Sequence, residues 1–286
     1  MTLQEATAVL DAVDTKKSSA IRGLGSGKLG DILLKVVAAL VLLYIFVPIF
    51  VIVLFSFNDP KGKFNYSWQG FTLKNWADPF KYPPLTDALK LSLNVAAVST
   101  AVALVLGSLV AIALVRQRFR GQTAVDTFLV IPLTAPEVVM GAALLTLFLD
   151  FGWEAGYTTI VISHIAFEIS FIAMTVRARM RGFDWTLEDA SMDLGASPGR
   201  TFFKVTLPLI VPGIVAAGML SFALSLDDFI ITYFVSGSTV TYPLYVNAAV
   251  KAAVPPQINV LATAILGISL LLLAVGTLYR RKRIEG

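Results

Sequence analysis

The 286-residue chain reads as an all-α, polytopic membrane protein of about six transmembrane helices, and three observations carry that reading. Hydrophobic residues make up 56% of it and charged residues 15%, at a mean hydropathy of +0.76, which is more apolar surface than one water-soluble core hides. Several runs reach the roughly 20 apolar residues that cross a bilayer core of about 30 Å. Lysine and arginine gather in alternate links between those runs, as they do in the loops of membrane proteins.

The expected spans are residues 32–57, 88–115, 124–149, 158–176, 206–234 and 257–279. They lie in a transmembrane domain over 32–280, between an N-terminal tail (1–31) and a C-terminal tail (281–286). One set of links holds sixteen bases: Lys16, Lys17, Arg22 and Lys28; Arg116, Arg118 and Arg120; Arg177, Arg179, Arg181, Arg200 and Lys204; and Arg280, Arg281, Lys282 and Arg283. The other set holds six: Lys61, Lys63, Lys74, Lys81, Lys90 and Lys251. The positive-inside rule therefore puts both termini in the cytoplasm. Trp68, Trp76, Tyr82, Tyr242 and Tyr245 then fall where amphipathic rings favour the outer interface.

Composition also excludes functions. There is no cysteine, so no disulfide, thiol nucleophile or cysteine metal site, and a single histidine, His164, leaves little for zinc. The bases flank apolar runs instead of forming a basic domain, so no nucleic-acid partner is expected. Catalytic residues and metal ligands are not expected either. Thr2 and Glu5 could cap a short helix carrying Leu3, Ala6, Leu10 and Val13, but the polar first 31 residues read better as a disordered tail, and they are too long for a signal-peptide n-region. Gly25, Gly27 and Gly30, with Lys28, imitate a phosphate-binding glycine pattern. No strand precedes them, a span follows, and Arg22 and Leu29 stand where a P-loop needs Gly and Ser or Thr. Any energy source must come from another chain.

The link over 182–205 is mixed in charge and carries Glu188-Asp189-Ala190-Ser191-Met192-Asp193-Leu194-Gly195-Ala196. Thr186 is expected to cap a short helix through Asp189, with acids in its first turn and Gly195 at its end. Leu187, Ala190 and Leu194 give that helix an apolar edge suited to a partner's groove. Asp189-Ala190-Ser191, then Gly195, then Val205, Leu207 and Pro208 keep every spacing of the Glu-Ala-Ala signature of ATP-binding-cassette (ABC) importer permeases, with Asp for Glu, Ser for the second Ala and Val for Ile. The chain is thus identified as resembling that family.

The resemblance implies a type I ABC importer permease fold in a bacterial plasma membrane, with a coupling helix at about 186–200 that fits an ATPase cleft. The ATPase-coupling residues it implies are Glu188, Asp189, Ala190, Ser191, Gly195, Val205, Leu207 and Pro208, and which of the two acids takes the motif's role stays open. The partners it implies are a second permease, two ATPase copies that bind ATP and Mg, and an extracytoplasmic substrate-binding protein. No cofactor is expected in this chain.

Gly70-Phe71-Thr72-Leu73, Arg118-Phe119-Arg120-Gly121, Pro136-Glu137-Val138-Val139-Met140 and Ser225-Leu226-Asp227-Asp228-Phe229 further resemble the spermidine and putrescine permeases, the second of their permease pair in particular. The cargo this implies is a polyamine; another cationic or small organic solute, or a metal chelate, is the alternative within the class. Ser221, Ser225, Asp228 and Thr232 share one helical face and read as a pore lining, with Asp227 pointing away. An acid deep in a membrane is usually turned to water, a partner or a cation, so Asp228, with Glu137, is expected to meet an ammonium group; a structural, helix-capping role for Asp228 is the alternative. His164 and Glu168, four apart, would serve as relays in a proton-coupled secondary transporter, the reading from another class. Helix packing, or a contact with the second permease, is the simpler role for them and for Asn94 and Asn259. Pro48, Pro132, Pro136 and Pro212 are expected to kink helices.

Overall fold

In the computed structural model, residues 28–285 are described, the side chains of 28, 29 and 272 onward excepted. The expected Thr2–Glu5 cap, the order of residues 1–27 and the Gly25–Gly27 pattern lie outside the described residues. So do the side chains of Arg280, Arg281, Lys282 and Arg283. Among the described residues the regular structure is helical, with no strand longer than an isolated bridge such as Asn58 to Phe71. Four helical stretches are long and apolar enough to span: Gly30–Phe55, Pro83–Arg116, Tyr157–Met180 and Pro198–Asp227. A bent pair makes a fifth, and an apolar stretch over Pro256–Leu271 opens the last helix.

The chain divides into two compact units. The first holds residues up to Pro79 and from Pro255 onward: α1 (Lys28–Phe55), α2 (Lys74–Ala77) and the final helix, Pro256–Glu285. The described side chains of α1 are exposed on all sides, as suits a helix surrounded by lipid or by another apolar chain. After it the loop is organised by Asn58. This buried side chain donates to Asn65 Oδ1 (2.7 Å) and the Ser67 carbonyl (2.8 Å) and accepts from the Gln69 N–H (2.7 Å). Phe57 stacks between Phe71 and Trp76, and Trp76 Nε1 donates to Ser56 Oγ. Trp76, expected at the membrane interface, is therefore part of the loop's own core, because its ring and N–H both find partners there.

The second unit, residues 80–254, is built on α3 (Pro83–Arg116), α4 (Gln122–Thr134), α5 (Glu137–Asp150), α6 (Tyr157–Met180), α7 (Thr186–Asp193), α8 (Pro198–Thr201), a π-helical turn (Phe202–Thr206), α9 (Leu207–Asp227), α10 (Ile230–Val235) and α11 (Tyr242–Ala252). Buried positions of α3 recur every three or four residues as Ser92, Val95, Ala96, Ser99, Ala103, Gly107, Ala111 and Leu114. Of these, Ala103 and Ala111 share a core with Ile172, Val176 and Met180 from α6 and Ile210 and Ala217 from α9, Val95 packs with Phe148, Ile160 and Val235, and Leu114 with Leu129 and Ala173. Small residues let the helices close up: a Cβ on Gly107 would lie 2.9 Å from the Ile169 carbonyl oxygen, and one on Gly213 2.6 Å from the Arg179 stem. Helix α6 runs parallel to α3, since Ser99 meets Glu168 and Gly107 meets Ile172. Helix α9 is antiparallel to both, with Ser225 against Ser99 and Gly213 against Arg179.

Two expected continuous spans are broken. Helices α4 and α5 meet at 111°, because Pro136 has no N–H to donate and holds Ala135 extended (ψ 141°). The stretch expected over 206–234 leaves the helix at Asp228 (ψ 121°) and restarts at Ile230. The bent pair lies between two parallel helices, so it returns the chain across the membrane once.

If close packing at Gly107 holds α3 to α6, Gly107→Ala costs about 1–3 kcal/mol. Gly182→Ala, where the added Cβ meets nothing within 4 Å, stays within about 0.5 kcal/mol. Thermal unfolding of the purified chain in detergent measures both.

Candidate functional site

The link expected to face a partner folds as α7, a turn, α8 and the π-helical turn. Its N-terminus differs from expectation. Thr186 is the first helical residue and makes no side-chain cap; instead its hydroxyl (2.7 Å) and its N–H (3.1 Å) both donate to Asp184 Oδ1. Asp184 is fully exposed, and these two bonds to its charged form hold its carboxyl below the usual Asp range. The C-terminus is as expected. Gly195 takes φ +86°, its N–H reaching the Met192 carbonyl (2.8 Å) and that of Ala196 the Ser191 carbonyl (3.1 Å).

The two adjacent acids of α7 point opposite ways. Glu188 is 4% exposed; it accepts from Arg116 Nη2 (2.6 Å), at the end of α3, and from Thr206 Oγ1 in the π-helical turn. Arg116 also lies over the Trp185 ring, 6.0 Å from its centroid. Glu188, expected among the coupling residues, is therefore an inward anchor, and Asp189 is the exposed acid. Ser191 Oγ bonds Thr201 Oγ1 (3.1 Å). Leu187, Ala190 and Leu194 face outward, Leu194 at 89% exposure, and border a shallow groove with Gly195, Arg200 and Val205. Leu207 and Pro208 open α9. Pro208 cannot donate to the turn before it, which accounts for the wider π-helical hydrogen bonding there. The anchors Arg116, Thr206, Thr201 and Trp185 were not legible as such, and Arg116 reads in the sequence only as a topology charge.

The second constellation is buried. His164 Nδ1 lies 2.6 Å from Ser225 Oγ, and Nε2 lies 3.0 Å from Thr232 Oγ1 and 3.4 Å from Asp228 Oδ2. Asp228 Oδ2 accepts from the N–H (2.8 Å) and hydroxyl (2.7 Å) of Thr232, which caps the restarted helix α10. Glu168 Oε1 accepts from Ser99 Oγ (3.3 Å) and Thr100 Oγ1 (3.2 Å). Ser221 and Thr232 are 0% exposed and Ser225 4%. The expected pore-lining stripe is thus a polar seam inside this chain, because α3 and α6 cover the face that carries it. His164 and Glu168 belong to the same seam. Ser99 and Thr100, which complete it, were missed; small polar residues amid the apolar run of α3 were the available signal. Asn94 instead accepts from Tyr157 Oη (2.6 Å).

Asp228 has a second side. A cleft of about 500 Å³ is lined by Asp227, Asp228, Glu137, Phe167, Phe171 and Phe229 among others, where the breaks before α5 and after α9 come together. Asp227 and Glu137 are exposed, and the Asp228 side chain is 7% exposed. Three carboxylates beside aromatic faces suit an organic cation.

Breaking the Arg116–Glu188 pair by Arg116→Met is expected to cost about 1–3 kcal/mol, below a fully buried pair because Arg116 is one-third exposed. Asp189→Asn is expected to change stability by less than about 0.5 kcal/mol, by thermal unfolding. The Asp184 cap is present above the ordinary Asp value and is lost as pH falls through the lowered folded one. Relative to the intrinsic exchange rate at each pH, amide protection in the first turn of α7 should therefore fall on acidification, and Asp184→Ala should abolish that dependence.

Residues 103–282 match the family described as the binding-protein-dependent transport system inner membrane component. The chain is 38% identical over 244 residues to the spermidine/putrescine transport system permease protein PotC of Escherichia coli (strain K12), covering 85% of this chain and 92% of that one. It is also 38% identical over 232 residues to the putrescine transport system permease protein PotI of the same strain, covering 78% and 82%. A chain of a bacterial ABC transporter involved in the import of the acidic polysaccharide alginate shares the fold at TM-score 0.64 and 16% identity, over 90% of this chain and 97% of that one. This multi-pass chain belongs to the family of inner membrane components of binding-protein-dependent transport systems.

Proposed function

We propose that this chain is a permease subunit of an ABC importer of polyamines, spermidine and putrescine being the class, and forms half of the translocation pathway. A second permease supplies the other half. Two copies of an ATPase bind ATP and Mg and grip the exposed face of α7 through Leu187, Ala190, Leu194 and Asp189. An extracytoplasmic binding protein delivers the cargo, and both termini lie in the cytoplasm. The chain itself contributes no catalytic residue.

The acidic cleft is the observation that carries the cargo. A polyamine presents ammonium groups along an apolar chain, and Asp227, Glu137 and the outer side of Asp228 supply charge next to the rings of Phe167, Phe171 and Phe229. The two relatives, named for spermidine and putrescine transport, agree with that chemistry. The outward apolar edge of α7 supports the coupling role, since the inward Glu188 anchor ties any displacement of α7 to α3 and to the start of α9.

Asp227→Asn is expected to raise the half-saturating spermidine concentration roughly fivefold, the equivalent of ~1 kcal/mol, in vesicles carrying the assembled transporter. Unchanged saturation would remove Asp227 from the pathway. Orientation has its own test, because the chain lacks cysteine and an added Cβ at Gly62 or Gly182 meets nothing within 4 Å. An impermeant thiol reagent outside intact cells should label Gly62→Cys and spare Gly182→Cys; the reverse pattern contradicts cytoplasmic termini.

A further inference from the structure

The polar seam joins the two buried acids through one ion-pair contact, between Asp228 and His164, and three hydrogen bonds. It runs from Asp228 Oδ2 to His164 Nε2 (3.4 Å), from His164 Nδ1 to Ser225 Oγ (2.6 Å), from Ser225 Oγ to Ser99 Oγ (3.2 Å), and from Ser99 Oγ to Glu168 Oε1 (3.3 Å). Each hydroxyl has one proton to give, so the direction of every bond is set by the groups at the ends. Thr232 spends its hydroxyl proton on Asp228, so its oxygen accepts from His164 Nε2–H. That leaves Nδ1 as the variable end.

Ser99 Oγ also lies 3.4 Å from the Ala96 carbonyl, a longer contact than either seam partner; with its proton kept in the seam, two arrangements satisfy the chain. In one, Glu168 is a carboxylate: Ser99 donates to it, Ser225 donates to Ser99, and Nδ1–H donates to Ser225, which makes His164 an imidazolium facing Asp228. In the other, Glu168 carries a proton and donates it to Ser99, Ser99 donates to Ser225, and Ser225 donates to a bare Nδ1. Among the described residues, the partners of His164, Asp228 and Glu168 include no Lys or Arg. The groups that contact His164 are Asp228, Ser225 of α9, Thr232 of α10 and the ring of Phe167, with Ser99 of α3 one bond beyond Ser225. Glu168 Oε2 and Ser221 Oγ are buried without a hydrogen-bond partner. An anion held so is costly in an apolar interior, and a proton on the carboxyl removes that cost.

We propose that this seam is an internal proton relay, in which one proton resides either on His164 Nδ1 or on Glu168 Oε1 and passes between them through Ser225 and Ser99. As Nδ1 gives its proton to Ser225 Oγ, Ser225 gives its own to Ser99 Oγ and Ser99 gives its own to Glu168 Oε1. Each hydroxyl gains one proton and loses one, and imidazolium plus carboxylate becomes imidazole plus carboxylic acid with total charge unchanged. The consequence lies at the cleft, where Asp228 is shared. A cation arriving on its outer side competes with the imidazolium on its inner side, and the relay withdraws the inner charge without a proton leaving the membrane interior. This goes beyond the proposed function and holds whatever the cation is.

His164 is the chain's one histidine, so ¹⁵N-histidine labelling of the full chain in lipid nanodiscs reports that side chain alone. The readout is the pH at which Nδ1 loses its proton. Glu168→Gln is expected to move that pH by one unit or more, a tenfold change in proton affinity. In a Ser99→Ala background the same substitution should move it by less than a third as much, and Ser99→Thr should restore the full shift. Ser225→Ala cuts the relay at a second place and asks the same question if Ser99→Ala fails to fold. Equal shifts with and without the hydroxyl would reduce the coupling to direct electrostatics, and no shift in any background would leave His164 and Glu168 independent; either result overturns the relay.

Discussion

A membrane interior offers no water, so every polar group placed there must find its partner within protein. The second compact unit meets that constraint along one seam, where Ser99 and Thr100 of α3, His164 and Glu168 of α6, and Ser225 of α9 bond to one another. With the Asn94–Tyr157 bond, the seam sets the register of three helices whose other contacts are largely apolar. Close approach at Gly107 and Gly213 brings the hydroxyls within reach, and the hydroxyls in turn define which face of α9 turns inward.

The same seam meets the end of α9. Asp228 leaves the α9 helix and caps α10 through Thr232, held from behind by His164. Across from it, Pro136 breaks the α4–α5 pair and leaves Glu137 at the start of α5. Two breaks with different causes therefore converge on one cleft and bring three carboxylates to it. At the other end of α3 and α9, Arg116, Glu188 and Thr206 tie the short helix α7 to both helices. A push on α7 is carried to α3 and α9 by these bonds, and the same two helices carry the seam.

Fold class and the short α7 helix with its Gly195 end were legible in the sequence, because apolar length, turn chemistry and motif spacing are local signals; of the six expected spans, the described residues give four single helices, a bent pair and the shorter apolar stretch Pro256–Leu271. The two breaks were not read. The sequence predicts a kink at Pro136, whereas its missing donor and its constraint on Ala135 break the helix; periodicity places Asp228 on a continuous stripe, since it carries no sign of where a helix ends and restarts. The stripe itself was correctly placed on one face and wrongly turned to the pore, because periodicity says which residues share a face and not what covers it. Of the adjacent acids, neither could be assigned a direction until Arg116, 72 residues away along the chain, was seen against Glu188. Partners that distant in sequence leave no local pattern.

The central claim is that this chain moves polyamines only when its cytoplasmic helix is driven by a partner's ATP hydrolysis. The most direct measurement is uptake of radiolabelled spermidine and putrescine into vesicles containing the chain with its second permease, ATPase and binding protein, with and without enclosed ATP, beside vesicles containing the chain alone. Uptake that requires both ATP and the partners is the predicted result. Uptake by the chain alone, driven by a proton gradient, would contradict it.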